Sequence, residues 1–238
     1  MCDAFGTSAE TLDILLTRGI INWGRPVAEI LADGSLCVQQ ARETEGSALV
    51  SVLLEGPPNS GKTALAAQIA KNSDFPFVKV CTPEDMVGFI ESAKCLSIRK
   101  TPNIESLLDY GPIGPKYSNL VLQALQVLLG KLPPPGHKLL ILCTSSCRQT
   151  LKDLRLLSAF NTILHVPNLS TPDHLLNVLE VDLFNDHEMS SLHGKLQGKR
   201  VFIGIRNLLY LIDMARQVEP SYRLVEFLSK LEEEGDSE

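Results

Sequence analysis

The sequence predicts an α/β body followed by a small, purely helical domain. Three observations carry this. An apolar strand, Ala48 to Leu54, runs into the glycine-framed loop Gly56-Pro57-Pro58-Asn59-Ser60-Gly61-Lys62-Thr63 and then into a strong helix, Thr63 to Ala70. A second apolar run, Lys138 to Thr144, has the unbroken hydrophobicity of a strand covered on both faces. Beyond Ser170 the strand patterns stop, and only helical patterns follow.

Each element has a local reason. Leu12 to Leu16 is helical, and Gly19-Ile20-Ile21-Asn22-Trp23-Gly24 is an apolar, turn-like stretch. Pro26 to Ala41 resumes a helical pattern, with Val27, Ile30, Leu31, Leu36 and Val38 apolar and an interruption at Asp33-Gly34. After the first strand, loop and helix, Phe75 to Cys81 reads as a second strand. Thr82 caps a further helix with Pro83 at its first position, running toward Lys100. Pro102 breaks that pattern, and Tyr110 to Pro115 is a rigid loop. Leu120 to Leu129 is an apolar helix ended by Pro133-Pro134-Pro135-Gly136. Leu151 to Phe160 is helical, and Thr162 to Pro167 is a last short strand. Thr171-Pro172 opens the helical part, continued by Asp186 to Leu196, Asn207 to Gln217 and Tyr222 to Leu231. The expected organisation is a lead-in over 1–45, an α/β nucleotide-binding body over 46–169, and a helical domain with an acidic tail over 170–238.

The loop spacing G-x-x-x-x-G-K-T has a mechanical reason. Its glycines let successive backbone N–H groups turn inward and cradle the α- and β-phosphates of a nucleotide. Lys62 has the reach for the β- and γ-phosphates, and the Thr63 hydroxyl suits Mg²⁺. The following helix adds the positive end of its dipole. The motif therefore points to a nucleoside triphosphate with Mg²⁺, ATP being the generic case, or to descent from a protein that bound one.

Composition narrows the class. The chain has 238 residues, 44% hydrophobic and 21% charged, which suffices for a substantial core. A formal net charge of −6 argues against a nucleic-acid partner. No apolar run approaches the ~20 residues of a membrane span, and the start lacks a signal-peptide pattern, so a cytoplasmic protein is expected. The six cysteines (Cys2, Cys37, Cys81, Cys95, Cys143 and Cys147) lack C-x-x-C spacing and read as mostly buried, reduced thiols.

With these residues laid out, the chain resembles the second ATPase domain of the vesicle-fusing ATPases, the N-ethylmaleimide-sensitive factors. Ala4 to Thr7 and Gly19 to Gly24 resemble the entry segment of that domain. Val50 to Ala70, Phe75 to Val80 and Leu107 to Gln126 resemble its body, and Lys199 to Leu209, with Gly204-Ile205-Arg206, its lid. The resemblance covers nearly the whole chain and is far more specific than the loop alone. It implies an AAA+ P-loop NTPase fold: a mostly parallel, five-stranded sheet between helices, then a four-helix lid. It also implies a homo-hexameric ring, nucleotide at subunit interfaces, and, in the full-length context only, disassembly of SNARE complexes through adaptor proteins, peripheral to membranes. Such second domains mainly hold ATP to stabilise the ring. The adaptor-binding N-terminal domain and the first ATPase domain have no counterpart in these residues.

By the same resemblance, Gly56 to Thr63 would hold phosphates and Mg²⁺, and Ile20, Ile21 and Trp23 would lie near adenine. Ordinary core packing suits those three equally well. Ser146 falls where relatives place a γ-phosphate-sensing asparagine, with a simple turn serine as its alternative. Arg206 occupies the lid's sensor position for the β- and γ-phosphates, with a solvated surface arginine as its rival. Arg148 and Arg155 read as solvated rather than as arginine fingers.

One part of the pattern is missing. Phosphoryl transfer needs an apolar strand ending in carboxylates that organise Mg²⁺ and the attacking water. The stretch Cys95 to Asp109 offers no four-residue apolar run before an acid, and Pro102 cannot donate to a central ladder. Against the family pattern, roughly 20 residues are absent between Lys100 and Ile104, the length of a helix plus a strand. A skipped exon and a gene-structure error both fit. Glu105 and Asp109 read as surface carboxylates rather than substitutes. No catalytic residue is assigned. The leading expectation is an ATP-binding AAA+ domain of a vesicle-fusing ATPase; the alternative is a non-hydrolysing assembly module or defective isoform. A small P-loop kinase fits the loop but not the helical lid.

Overall fold

The computed structural model describes residues 8–78, 119–179, 183–197 and 201–235. They fall into two compact units. One gathers the described residues of Met1–Ile20, Ile30–Gly56 and Lys62–His165, the other those of Ile21–Glu29, Pro57–Gly61 and Val166–Glu238.

The first unit is built on a sheet of three parallel strands among the described residues. β1 (Ala48–Glu55) lies between β2 (Lys138–Ser145) and β3 (Thr162–His165). A parallel strand paired on both edges and covered on both faces needs a continuous apolar run. β1 has one: Val52, Leu53 and Leu54 are all at 0% exposure. The register aligns Glu55 with both Ser145 and His165, so the three strands end level where the glycine-framed loop begins. In open α/β sheets that carboxyl-end edge is where ligands bind.

The helices of this unit follow their apolar stripes. α1 (Ser8–Leu15) precedes α2 (Arg25–Glu43), and α3 (Lys62–Lys71) buries Leu65, Ala66, Ala67 and Ile69. α4 (Asn119–Gly130) and α5 (Arg148–Asp153) contribute Leu125, Leu129 and Leu151 to a core with Leu53, Cys143, Leu156 and Phe160. Each such side chain contributes about 1.5–3 kcal/mol when fully removed from water. Asn161 fastens the sheet, accepting from the Ser51 N–H and the Ser51 hydroxyl, both at 2.8 Å.

Several sequence expectations need correction or fall elsewhere. α2 runs unbroken through Asp33-Gly34, because Gly34 is a packing point, not a breaker. A Cβ there would stand 2.5 Å from Ile69 Cδ1, so only glycine lets α3 approach so closely. Leu36, expected on the apolar side, is 62% exposed. The expected helix Leu151 to Phe160 is two pieces, α5 and a 3₁₀ turn at Leu157–Ala159. Arg155 takes φ +56° and the Leu156 N–H returns to the Leu151 carbonyl at 2.9 Å, a left-handed helix stop. Of the expected strand Phe75 to Cys81, the described residues 75–78 are not in a strand, and 79–81 lie outside the described residues. The expected helix after Thr82, the Tyr110 to Pro115 loop, Glu105, Asp109, Cys2, Cys81 and Cys95 lie outside the described residues.

The second unit holds four helices beyond Val166 among the described residues. These are α6 (Pro172–Leu176), α7 (Asp186–Leu196), α8 (Ile205–Gln217) and α9 (Pro220–Gly235). Their starts are written in the sequence. Thr171 caps α6 ahead of Pro172, and Asn185 with Glu188 forms a reciprocal capping box on α7. Phe184 and Phe227 meet edge-on at 5.5 Å. Arg223 donates to the carbonyls of Ala215 and Leu183, both at 3.1 Å, satisfying the end of α8. An antiparallel bridge joins Leu169 to Ile203.

Candidate functional site

The loop Gly56–Thr63 follows directly from the ends of the strands. The Gly56 N–H donates to the Ser145 carbonyl at 3.2 Å, tying the loop's entry to β2. Lys62 opens α3, and its side chain folds back so that Nζ donates to the Gly56 carbonyl at 2.9 Å. The ammonium is thereby held in place although Lys62 is only 7% exposed. A buried ammonium at the start of a helix adds positive potential where the loop ends, and that potential favours an anion. The first turn of α3 adds backbone N–H groups without intrahelical partners and the positive dipole end. Thr63 is exposed in that turn. These features fit a nucleotide's phosphates and, at the Thr63 hydroxyl, a Mg²⁺ ion. No group of three or more metal-ligating side chains occurs among the described residues.

The loop's tip, Pro57–Gly61, belongs to the second unit. Asn59 takes φ +61°, a left-handed conformation that asparagine tolerates. Its carbonyl accepts from the Arg206 N–H at 3.1 Å. Gly61 takes φ +91°, and a Cβ there would lie 3.0 Å from Ile205 Cγ2, so both conformation and space demand glycine. Gly204, the N-cap of α8, approaches so closely that its own Cβ would meet the Asn59 carbonyl oxygen at 2.9 Å. The loop tip and the start of α8 are therefore in contact, backbone to backbone.

Other sequence-predicted residues take these places. Trp23 is 2% exposed, its ring tilted against His174 at 4.7 Å and its carbonyl accepting from Asn177 Nδ2 at 3.3 Å. Ile20 and Ile21 are half-buried. Ser146 is exposed just beyond β2. Arg206 presents an exposed side chain at the second position of α8. Burial pushes the Cys143 thiol up to about 12.

Sequence reasoning missed Glu55. The last residue of β1 is a carboxylate only 6% exposed, held by Arg148 Nη1 at 2.8 Å and His165 Nδ1 at 2.9 Å. Its signal was an acid closing an otherwise apolar strand, Leu53-Leu54-Glu55, where solvation is not on offer. Arg148, expected to be solvated, is half-exposed yet engaged in this pair.

Comparison with known proteins adds the following. The pattern for ATPases associated with various cellular activities matches residues 52–101, and that of the "NSF, AAA+ ATPase lid domain" matches 168–234. A "Vesicle-fusing ATPase" of Caenorhabditis elegans is 43% identical over 249 residues, covering 96% of this chain and 30% of that protein. A "Vesicular-fusion protein sec18" of Schizosaccharomyces pombe is 39% identical, covering 90% of this chain and 30% of that protein. The chain thus spans under a third of the length of these relatives. The alignment with the worm protein is longer than the 238 residues of the whole chain, so that relative carries residues with no counterpart here. In fold, the chain is similar to the solved structure of C. elegans PCH-2, with a TM-score of 0.53 at 15% identity, covering 94% of this chain and 72% of that one.

Proposed function

The chain belongs to the vesicle-fusing family of AAA+ ATPases, and from that premise we propose that it is an ATP-binding domain of the second, ring-stabilising kind. In this reading Gly56, Pro57, Pro58, Asn59, Ser60, Gly61 and Lys62 hold the phosphates, and Thr63 carries Mg²⁺. Ile21 and Trp23 lie toward the base, and Ser146 and Arg206 toward the γ-phosphate. The observation that carries the proposal is the buried Lys62 ammonium, held on the Gly56 carbonyl at the start of α3. A phosphate chain placed at the start of α3 would lie within reach of that ammonium and gain a charge-assisted hydrogen bond. Bound ATP would supply the transferable γ-phosphoryl group; this chain's part is to grip and orient it.

We further propose that the domain supports a homo-hexamer that disassembles SNARE complexes through adaptor proteins, a role resting on the family and on segments beyond this chain. The protein would work in the cytoplasm, peripheral to membranes. Hydrolysis by the chain itself is proposed to be very weak, because the acidic strand is missing after Lys100. Supporting this are the AAA match, which stops at residue 101, and the longer aligned length of the worm relative. Equilibrium titration with ATP and Mg²⁺, beside a phosphate-release assay, tests both parts. Binding that is lost in Lys62→Ala, with no release above background, is the expected result. Turnover at the rate of an intact relative would overturn the second part, and absence of binding would overturn the first.

A further inference from the structure

We propose that Asn168 reads the base of the bound nucleotide, turning its carboxamide onto the hydrogen-bonding edge of adenine; the proposal rests on the nucleotide-binding reading above. Asn168 is 2% exposed, and neither its Oδ1 nor its Nδ2 meets a hydrogen-bond partner among the described residues. A buried amide in that state is costly, which a well-packed apolar residue of the same size would not be. Such a group calls for a partner that the described residues do not supply.

Its position says which partner. Asn168 precedes Leu169, whose N–H and carbonyl bond to Ile203 at 2.9 and 3.2 Å. Ile203 leads into Gly204, the residue in backbone contact with the loop tip at Asn59. On its other side, the Ser170 N–H reaches His174 Nδ1 at 3.5 Å, and the His174 ring lies against Trp23. Asn168 therefore sits on a segment tied both to the phosphate loop and to the aromatic residue expected toward the base, all within the second unit. A carboxamide offers one acceptor and two donors, the complement of adenine's N6 amino group and an adjacent ring nitrogen. A base bound against this segment would give the amide the partner it lacks among the described residues, and relief of that unpaired state would favour binding.

The test compares wild type with Asn168→Leu, and with Asn168→Ala in case the leucine packs poorly. Binding of ATP, purine riboside triphosphate (which lacks the 6-amino group) and inorganic tripolyphosphate is measured for each, together with melting of the unliganded chain. ATP affinity is expected to fall about tenfold in the variants, the scale of losing a paired buried hydrogen bond. The preference for ATP over purine riboside triphosphate should disappear, tripolyphosphate binding should be unchanged, and Asn168→Leu should melt no lower than wild type. Unchanged ATP affinity would overturn the proposal and leave Asn168 a structural amide. Equal losses for ATP and tripolyphosphate would also overturn it, placing the effect on the loop. Failure of wild type to bind ATP at all would instead count against the nucleotide-binding reading.

Discussion

Gly204→Ala isolates the contact that fixes the tip of the phosphate loop. Gly204 has φ −69° and ψ 143°, a conformation alanine adopts freely, so no backbone penalty confuses the result. The cost is steric. The new Cβ would meet the Asn59 carbonyl oxygen at 2.9 Å and its carbonyl carbon at 3.0 Å. Those are backbone atoms, and they cannot swing aside as a side-chain end does. The same oxygen also accepts the Arg206 N–H at 3.1 Å, so any retreat weakens a hydrogen bond as well. Overpacking of this kind costs about 1–3 kcal/mol. A middle value of about 2 kcal/mol corresponds to a melting midpoint lower by about 4–8 °C in a chain of this size.

Losing a helix N-cap glycine is a rival cause, since alanine caps poorly. Gly204→Ser separates the two. Serine caps well but carries the same Cβ, so the steric account expects it to melt nearly as low as the alanine variant. Tripolyphosphate affinity, measured by calorimetry, should fall in both, because the displaced Asn59 belongs to the loop. A Gly204→Ser protein that melts at or above wild type and binds tripolyphosphate normally would refute the reasoning.

Three further outcomes are expected. Gly194→Ala, inside α7 with nothing within 4 Å of the added Cβ, should stabilise the chain by about 0.5–1 kcal/mol, read as a raised urea midpoint. Arg148→Ala should destabilise by about 1–2 kcal/mol, because the buried Glu55 carboxylate loses its 2.8 Å partner and keeps only His165; Arg148→Lys should recover part of the loss in the same urea assay. Cys143 retains its proton in the folded state up to about 12, whereas an unfolded thiol releases it near the ordinary value of 9.0. The unfolded state thus binds fewer protons between those values, so stability should fall as pH rises from about 9 toward about 12 and should do so less in Cys143→Ala, as followed by denaturant titration.

What the sequence made legible was what short range decides. β1, the loop and α3 are contiguous, their periodicities are local, and the loop's spacing has a geometric reason that needs no distant residue. Helix starts at Thr171 and Asp186 were legible for the same reason. Gly34 was misread because its purpose is not local: as a glycine inside a helix it looks like a breaker until Ile69 is seen against it. Glu55 was invisible as a site because its partners lie 93 and 110 residues away. Asn168 follows a proline and looks like a loop residue; its burial is set by the bridge to Ile203. The split of α5 came from Arg155 entering the left-handed region, a choice that propensity does not announce for arginine.

Glu55 invites a tempting role as replacement for the missing catalytic acids, since it is the one buried carboxylate among the described residues and stands beside Gly56. Its bonds argue otherwise. A carboxylate that polarises water or holds Mg²⁺ must offer a lone pair toward the γ-phosphate. Oε1 of Glu55 already accepts from Arg148, whose guanidinium balances its charge, and from His165, and the two bonds fix its direction. Swinging it free would give up both hydrogen bonds while the carboxylate stays largely out of water, at a cost of about 1–3 kcal/mol. Binding makes no such demand. The loop's N–H groups, Lys62 and the first turn of α3 come from one contiguous stretch of chain, whereas the catalytic carboxylates must arrive on a separate strand. On the reading proposed above, a chain without that strand would bind ATP through this contiguous stretch and release little phosphate, the outcome the paired titration and release assay checks.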